Sequence, residues 1–230
     1  MTAQFEGLTK EKHADIKIDD NKNIQATENQ HLLPLCVDEF SAACHSYPIV
    51  FVKNSETGQF QPVALLSTET QKNNFFQDGN WVAEHLPRCV LVPPFVLIAD
   101  EKDPEQRYIT LNTQSNAIAS EGRALFENGE ETDYLKSKKE LLIQHTNMSG
   151  LTAEFCKLLS LYDLLVPTSL TVKAEGQEDK TIDGIFIIDE KKLPNLTQEI
   201  TSAIQAKNFF LPIYSQLLSL SRTKLLAPKA

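Results

Sequence analysis

Glycine is scarce in this sequence, with 8 in 230 residues. Loops that cradle phosphate through closely approaching backbone need it, and no G-x-G-x-x-G or Walker loop occurs. G-x-S-x-G and H-E-x-x-H are also missing, so the common signatures of serine hydrolases and zinc proteases are excluded. Cysteine is sparse too: Cys36, Cys44, Cys89 and Cys156 are far apart, with no C-x-x-C pair. The expectation is four free thiols packed as small hydrophobes rather than a disulfide framework or a zinc site. No long apolar run exists. The longest, Val90 to Ala99, has ten residues and is interrupted by Pro93 and Pro94, whereas a membrane-spanning helix needs roughly 20. The N-terminal residues lack the apolar core of a secretory signal. The expected location is therefore the cytoplasm, or the cell surface by a route independent of such a signal. Positive charge is in deficit, with 22 Lys and Arg against 31 Asp and Glu, a net charge of −9. Such a surface repels phosphate backbones, so nucleic acid is not an expected partner. The densest basic run, Lys136, Lys138 and Lys139, lies among Glu131, Asp133 and Glu140 and reads as the solvated face of a helix.

What is present is ordinary globular material, 41% hydrophobic and 23% charged, enough to bury a core. Residues 1–30 are polar and read as a mobile tail or an edge piece, with one strand-like alternation at Ile16–Ile18. Residues 31–230 read as a single α+β domain. Ile49–Val52 and Val63–Leu66 are strand-length apolar runs around a turn-rich segment. Asp78-Gly79 between Phe75-Phe76 and Trp81 is a hairpin signal, because that turn needs positive φ. Phe95–Ile98 and Tyr108–Leu111 bracket the charged loop Asp100–Arg107, and Leu170–Val172 is joined to Ile185–Ile188 through Gly176. Repeated hairpins predict an antiparallel or mixed sheet. C-terminal helices pack against it. One starts from a cap at Thr132 and carries Tyr134, Leu135, Leu141, Leu142 and His145. A second carries Leu151, Phe155, Leu158, Leu159 and Tyr162. A third is capped at Asn195 with Gln198 in capping-box position, and a last one opens at Pro212 with Ile213, Leu217 and Leu220 on one face. A short helix is expected from Asp38 to His45.

Two constellations suggest chemistry and fail on physical grounds. His13-Ala-Asp15 with His145 has the composition of a two-histidine, one-carboxylate metal site, yet it sits in the polar N-terminal segment, a poor place for rigid ligands. Cys44 and His45 have the composition of a nucleophile and base, but neighbours on a helix point about 100° apart. No metal or cofactor is expected.

From Glu39-Phe40 and Tyr47-Pro48-Ile49-Val50-Phe51 onward the sequence resembles the SapC family. The likeness continues through Pro62–Leu66, Asn74-Phe75-Phe76 with Asp78, Gly79 and Trp81, then Pro94-Phe95, Glu121-Gly122, Leu125-Phe126 and Thr152–Cys156. Leu164-Leu165, Gly184, Asp189-Glu190, Leu193, Leu217 and Ser219-Leu220 complete a series covering roughly residues 30–226. The resemblance implies a bacterial protein of a family associated with paracrystalline surface layers. Its members are often labelled peptide-transporter permeases, a label at odds with the missing apolar span. It also implies gene neighbours such as flavin-dependent halogenase-like proteins, cupin-type hydroxylases and TonB-dependent receptors. The functional expectation is a non-enzymatic accessory or surface-layer-associated protein. The alternative is a soluble peptide- or small-molecule-binding protein assisting a neighbouring oxygenase or halogenase, and behind both stands an uncharacterised enzyme. The resemblance brings no catalytic residues. Where relatives carry Arg-Arg-Tyr-Pro-Phe after the tryptophan, this chain has Leu91-Val92-Pro93-Pro94-Phe95, and Arg88 is the only nearby arginine or lysine.

A protein partner, a peptide or a small molecule would be expected near Phe75–Phe95, which concentrates the only Trp, several Phe and three prolines around His85 and Arg88. Small-molecule sites combine apolar walls with a few placed polar groups. Tyr47 joins the set because a residue before proline is held extended. The candidate ligand-binding residues are Tyr47, Trp81, His85 and Arg88, with the sheet core as the competing use of the same aromatics.

Overall fold

The computed structural model describes residues 4–100, 103, 106–173 and 179–227. The architecture is α+β with antiparallel sheets. The chain divides into two compact units, Met1–Thr27 with Arg88–Asn147, and Glu28–Pro87 with Met148–Ala230.

The first unit holds a three-stranded sheet in which Arg107–Asn112 lies between Phe5–Gly7 and Phe95–Ala99. Alternation decides its two faces. Phe95, Leu97, Ile109 and Leu111 point inward and join a core with Ile18, Val92, Leu125, Leu135 and Leu142. The strand Lys17–Ile18 pairs with Ile118–Ala119 and Arg123–Ala124. Gly122 makes this close approach possible. Its φ is +146°, and a Cβ there would meet the Ile18 carbonyl oxygen at 2.5 Å, so a side chain would force the backbones apart.

The second unit is built on a five-stranded antiparallel sheet, ordered Leu165–Val172, Lys180–Ile188, Ile49–Lys53, Phe60–Leu65, Leu32–Pro34. The expected pairing of the first two strands is present, with Val50 opposite Val63. The later hairpin forms in a different register from the one expected: Leu170–Val172 pairs with Lys180–Ile182, and Ile185–Ile188 pairs with Leu165–Thr168. Its turn at Gly176 lies outside the described residues. Phe40, Phe51, Phe155 and Phe209 fill the core with ring contacts of 5.0–6.5 Å.

Three helix assignments differ from the sequence reading. The expected Asp38–His45 helix is a 3₁₀ turn, Val37–Glu39, followed by a one-turn helix, Phe40–Ala43. The stripes beginning at Tyr134 and Leu151 belong to one helix, Asp133–Leu161, because neither Ser149 nor Gly150 breaks it. Thr132 caps it, its hydroxyl accepting from Leu135 N at 3.2 Å. The helix Gln198–Ala206 is capped by Thr197, not Asn195. Asn195 instead ends a 3₁₀ turn, Glu190–Asn195, opened by Asp189. The terminal helix, Phe210–Ser219, has Pro212 in its first turn as expected.

Candidate functional site

In the second unit a one-turn helix, Phe40–Ala43, ends with Tyr47 N donating to the Ala43 carbonyl, and Pro48 then starts a strand. This buries Tyr47 completely. Asp78 and Gly79, with φ of 50° and 80°, close the small hairpin Phe76–Gln77 and Asn80–Trp81 and bring Trp81 to the same place. Tyr47 meets Phe75 edge-on at 5.1 Å and Trp81 at 6.1 Å.

The polar atoms of this cluster converge on one backbone carbonyl. The Tyr47 hydroxyl donates to His85 O, and Trp81 Nε1 donates to the same oxygen at 2.8 Å. His85 N donates to Ser46 Oγ at 3.4 Å. The His85 ring turns away to Glu39, with Nε2 3.1 Å from Oε1. Glu39 is buried, and its other oxygen accepts from Cys36 N at 2.9 Å. The arrangement is a clamp. Two indole and phenol donors fix the loop at His85, and a carboxylate holds that residue's ring and the preceding turn together.

The structure thus brings Tyr47, Trp81 and His85 together. Arg88 opens a one-turn helix of the first unit. The polar atoms that would recognise a ligand in the cluster are engaged with the chain itself. Glu39 and Ser46 complete the clamp and were not among the candidates. The signal for Glu39 was its position three residues after Cys36, the spacing of a capping box, which the structure forms. The same turn gathers Cys36, Asp38 and Glu39 within 4.8 Å, and the cap accounts for that gathering.

The constellations set aside on sequence grounds are also placed. His13 is buried with Nδ1 2.9 Å from Thr9 O, and Asp15 is exposed. Cys44 is buried and His45 exposed, both in the turn that follows the helix Phe40–Ala43. Burial pushes the Cys44 thiol up, opposite to the activation a nucleophile needs. A cleft of about 590 Å³ lies between Thr57–Phe60 and the end of the long helix, walled by Phe60, Ala153, Cys156 and Leu161 with Glu154 and Lys157. Burial raises the Cys156 thiol to about 12, so it is a neutral wall group.

The described residues also carry large apolar side chains on ordered surfaces. In the first unit's sheet the pairs Val96 with Thr110, Ile98 with Tyr108, and Phe5 with Asn112 put these residues on the face opposite the core. Phe5, Val96, Ile98 and Tyr108 are 37–48% exposed. Within the paired strands this face carries no charged residue. The sequence pairs Phe95–Ile98 with Tyr108–Leu111 but does not separate their two faces.

No described helix is long and apolar enough to cross a membrane. No curated protein and no solved structure matches the chain. The SapC family model matches residues 8–226, reaching further toward the N-terminus than the residues that carried the resemblance. The chain belongs to the SapC family.

Proposed function

We propose that this SapC-family chain is a non-enzymatic accessory protein that associates with a surface layer and holds a protein segment on the outer face of the sheet in its first unit. The observation that carries this reading is that face itself. A solvated face of an antiparallel sheet ordinarily alternates to polar residues, whereas this one presents Phe5, Val96, Ile98 and Tyr108. Burying each such side chain is worth about 1.5–3 kcal/mol at full burial, less here because each starts partly covered. Exposed apolar side chains gathered on one sheet face mark interaction sites. The clamp at His85 supports the non-enzymatic part, since its donors are aimed at backbone.

The test is cell fractionation combined with a photo-cross-linking residue at Tyr108 and, as a control in the same unit, at Lys136. The expected result is a chain fractionating with surface material and a cross-link to a surface-layer protein from position 108 alone. Val96→Lys should abolish that adduct without unfolding the chain. A purely cytosolic pool would overturn the surface association, and an adduct insensitive to Val96→Lys would overturn the assignment of the face.

A further inference from the structure

The terminal helix is built inside out. Its buried side carries Ser215, Gln216 and Ser219 beside Pro212 and Ile213. Gln216 Nε2 donates to Ile49 O at 2.9 Å, Ile188 N donates to Gln216 Oε1 at 3.2 Å, and Ile49 N donates to Ser219 Oγ at 2.9 Å. Polar side chains are therefore needed on the inner side, where they satisfy backbone groups at the ends of two sheet strands. The outer side would then be expected to be charged. Instead Leu211, Tyr214 and Leu218 are 64, 51 and 68% exposed, with half-buried Phe210 and Leu217 beside them. No charged residue occurs from Asn208 to Ser221. A helix without charge on any side is ordinarily buried on every side.

We infer that the uncovered face of this helix is the contact surface for a second copy of the chain, paired about a two-fold axis with the two helices antiparallel. Three features select that partner. The stripe is close to symmetric about Tyr214, with Leu211 three residues before it and Leu218 four after. An isologous contact then sets Leu211 against Leu218 of the partner subunit and Tyr214 against its own counterpart. A cleft of about 250 Å³ at the helix start, walled by Val37, Leu151, Phe209 and Leu211, provides a hole for that incoming leucine. Charge points the same way. Two chains of net charge −9 meet at least cost where carboxylates are few, and the segment Ile200–Ala230 contributes none, which leaves Asp38 beside Lys207 at the cleft. A lipid surface fits less well, because interfacial helices depend on exposed Lys and Arg. Here Lys207 is paired with Glu154, and from Asn208 to Ala227 the cations are half-buried Arg222 and exposed Lys224.

The test is sedimentation velocity of the purified full chain across the micromolar range. A concentration-dependent dimer is expected. Leu211→Lys with Leu218→Lys should raise its dissociation constant about a hundredfold or more, with an unchanged circular dichroism spectrum and melting temperature, because both side chains are already exposed. Tyr214→Cys should form a disulfide-linked dimer on oxidation, and Val82→Cys, equally exposed in the same unit, should not. A wild-type chain that stays monomeric overturns the inference, as does a dimer unaffected by the two lysines. Binding of a monomer to phosphatidylglycerol vesicles that the same lysines abolish would also overturn it, and would assign the face to a lipid surface instead.

Discussion

In the first unit Lys138, only 7% exposed, is held between Asp20 Oδ1 and the Leu91 carbonyl, each at 2.7 Å. The Tyr134 hydroxyl donates to the same Asp20 oxygen at 3.0 Å. In the second unit the corresponding buried polar cluster gathers Tyr47 and Trp81 on the His85 carbonyl, with Glu39 behind. Both tie a short turn or loop to regular structure. They differ in what is left behind when a member is lost. Removing Asp20 strands a buried ammonium, whereas removing Tyr47 leaves a carbonyl that still has a donor. The energetic weight of a polar cluster therefore follows the charge that loses its partner rather than the number of bonds drawn.

The largest expected effect tests this directly. Asp20→Ala should lose about 3 kcal/mol in chemical denaturation, near the lower end for a broken buried pair because Asp20 is partly exposed. Lys138→Met, which removes the charge and keeps the volume, should cost about 1 kcal/mol. Equal losses would break the comparison. Next, Glu39→Ala should cost about 2 kcal/mol, since it frees Cys36 N and the His85 ring at once. Glu39→Gln should recover much of that loss by keeping an acceptor.

Alkaline titration probes an acid in each unit. Burial raises the Tyr134 phenol, with Asp20 adding to it, and burial alone raises Cys156 from 9.0 to about 12. Both groups are acids held neutral by the fold, so the folded state binds more protons than the unfolded one above the unfolded pKa. Stability is thus fully present below that value and falls as pH rises beyond it, by up to about 1.4 kcal/mol per pH unit for each group. For Cys156 the window runs from 9.0 toward about 12. Melting temperature should decline there, and Cys156→Ala and Tyr134→Phe should each flatten part of the decline. The smallest effects belong to the clamp donors. Tyr47→Phe and Trp81→Phe should each cost about 1 kcal/mol, and the double variant more than their sum, because only then does the His85 carbonyl lose both donors.

Local features with local causes were legible in the sequence. Asp78-Gly79 marks its hairpin because few other residues accept positive φ, and Thr132 marks a helix start because its hydroxyl satisfies a free N–H. The cap at Asn195 misled because Thr197, two residues on, meets the same requirement, and Pro194 sits in a 3₁₀ turn before it. Part of the candidate site was legible too. Tyr47, Trp81 and His85 do meet, since aromatic residues near prolines and a tight hairpin have few other places to pack. Their roles were not legible, because a donor's partner is a backbone carbonyl and every residue offers one.

The sequence by itself determined the α+β class, the hairpins and the helix-rich C-terminal half, all of which follow from the period of the apolar pattern and from turn chemistry within a few residues. Only the tertiary structure decided that Gln216 and Ser219 face inward and Leu211, Tyr214 and Leu218 outward. Hydrophobic periodicity predicts the burial of apolar residues, and Ile213 does go inside. Strand-end N–H and C=O groups of Ile49 and Ile188 also require partners, and those groups come within reach of the helix only when distant segments fold together.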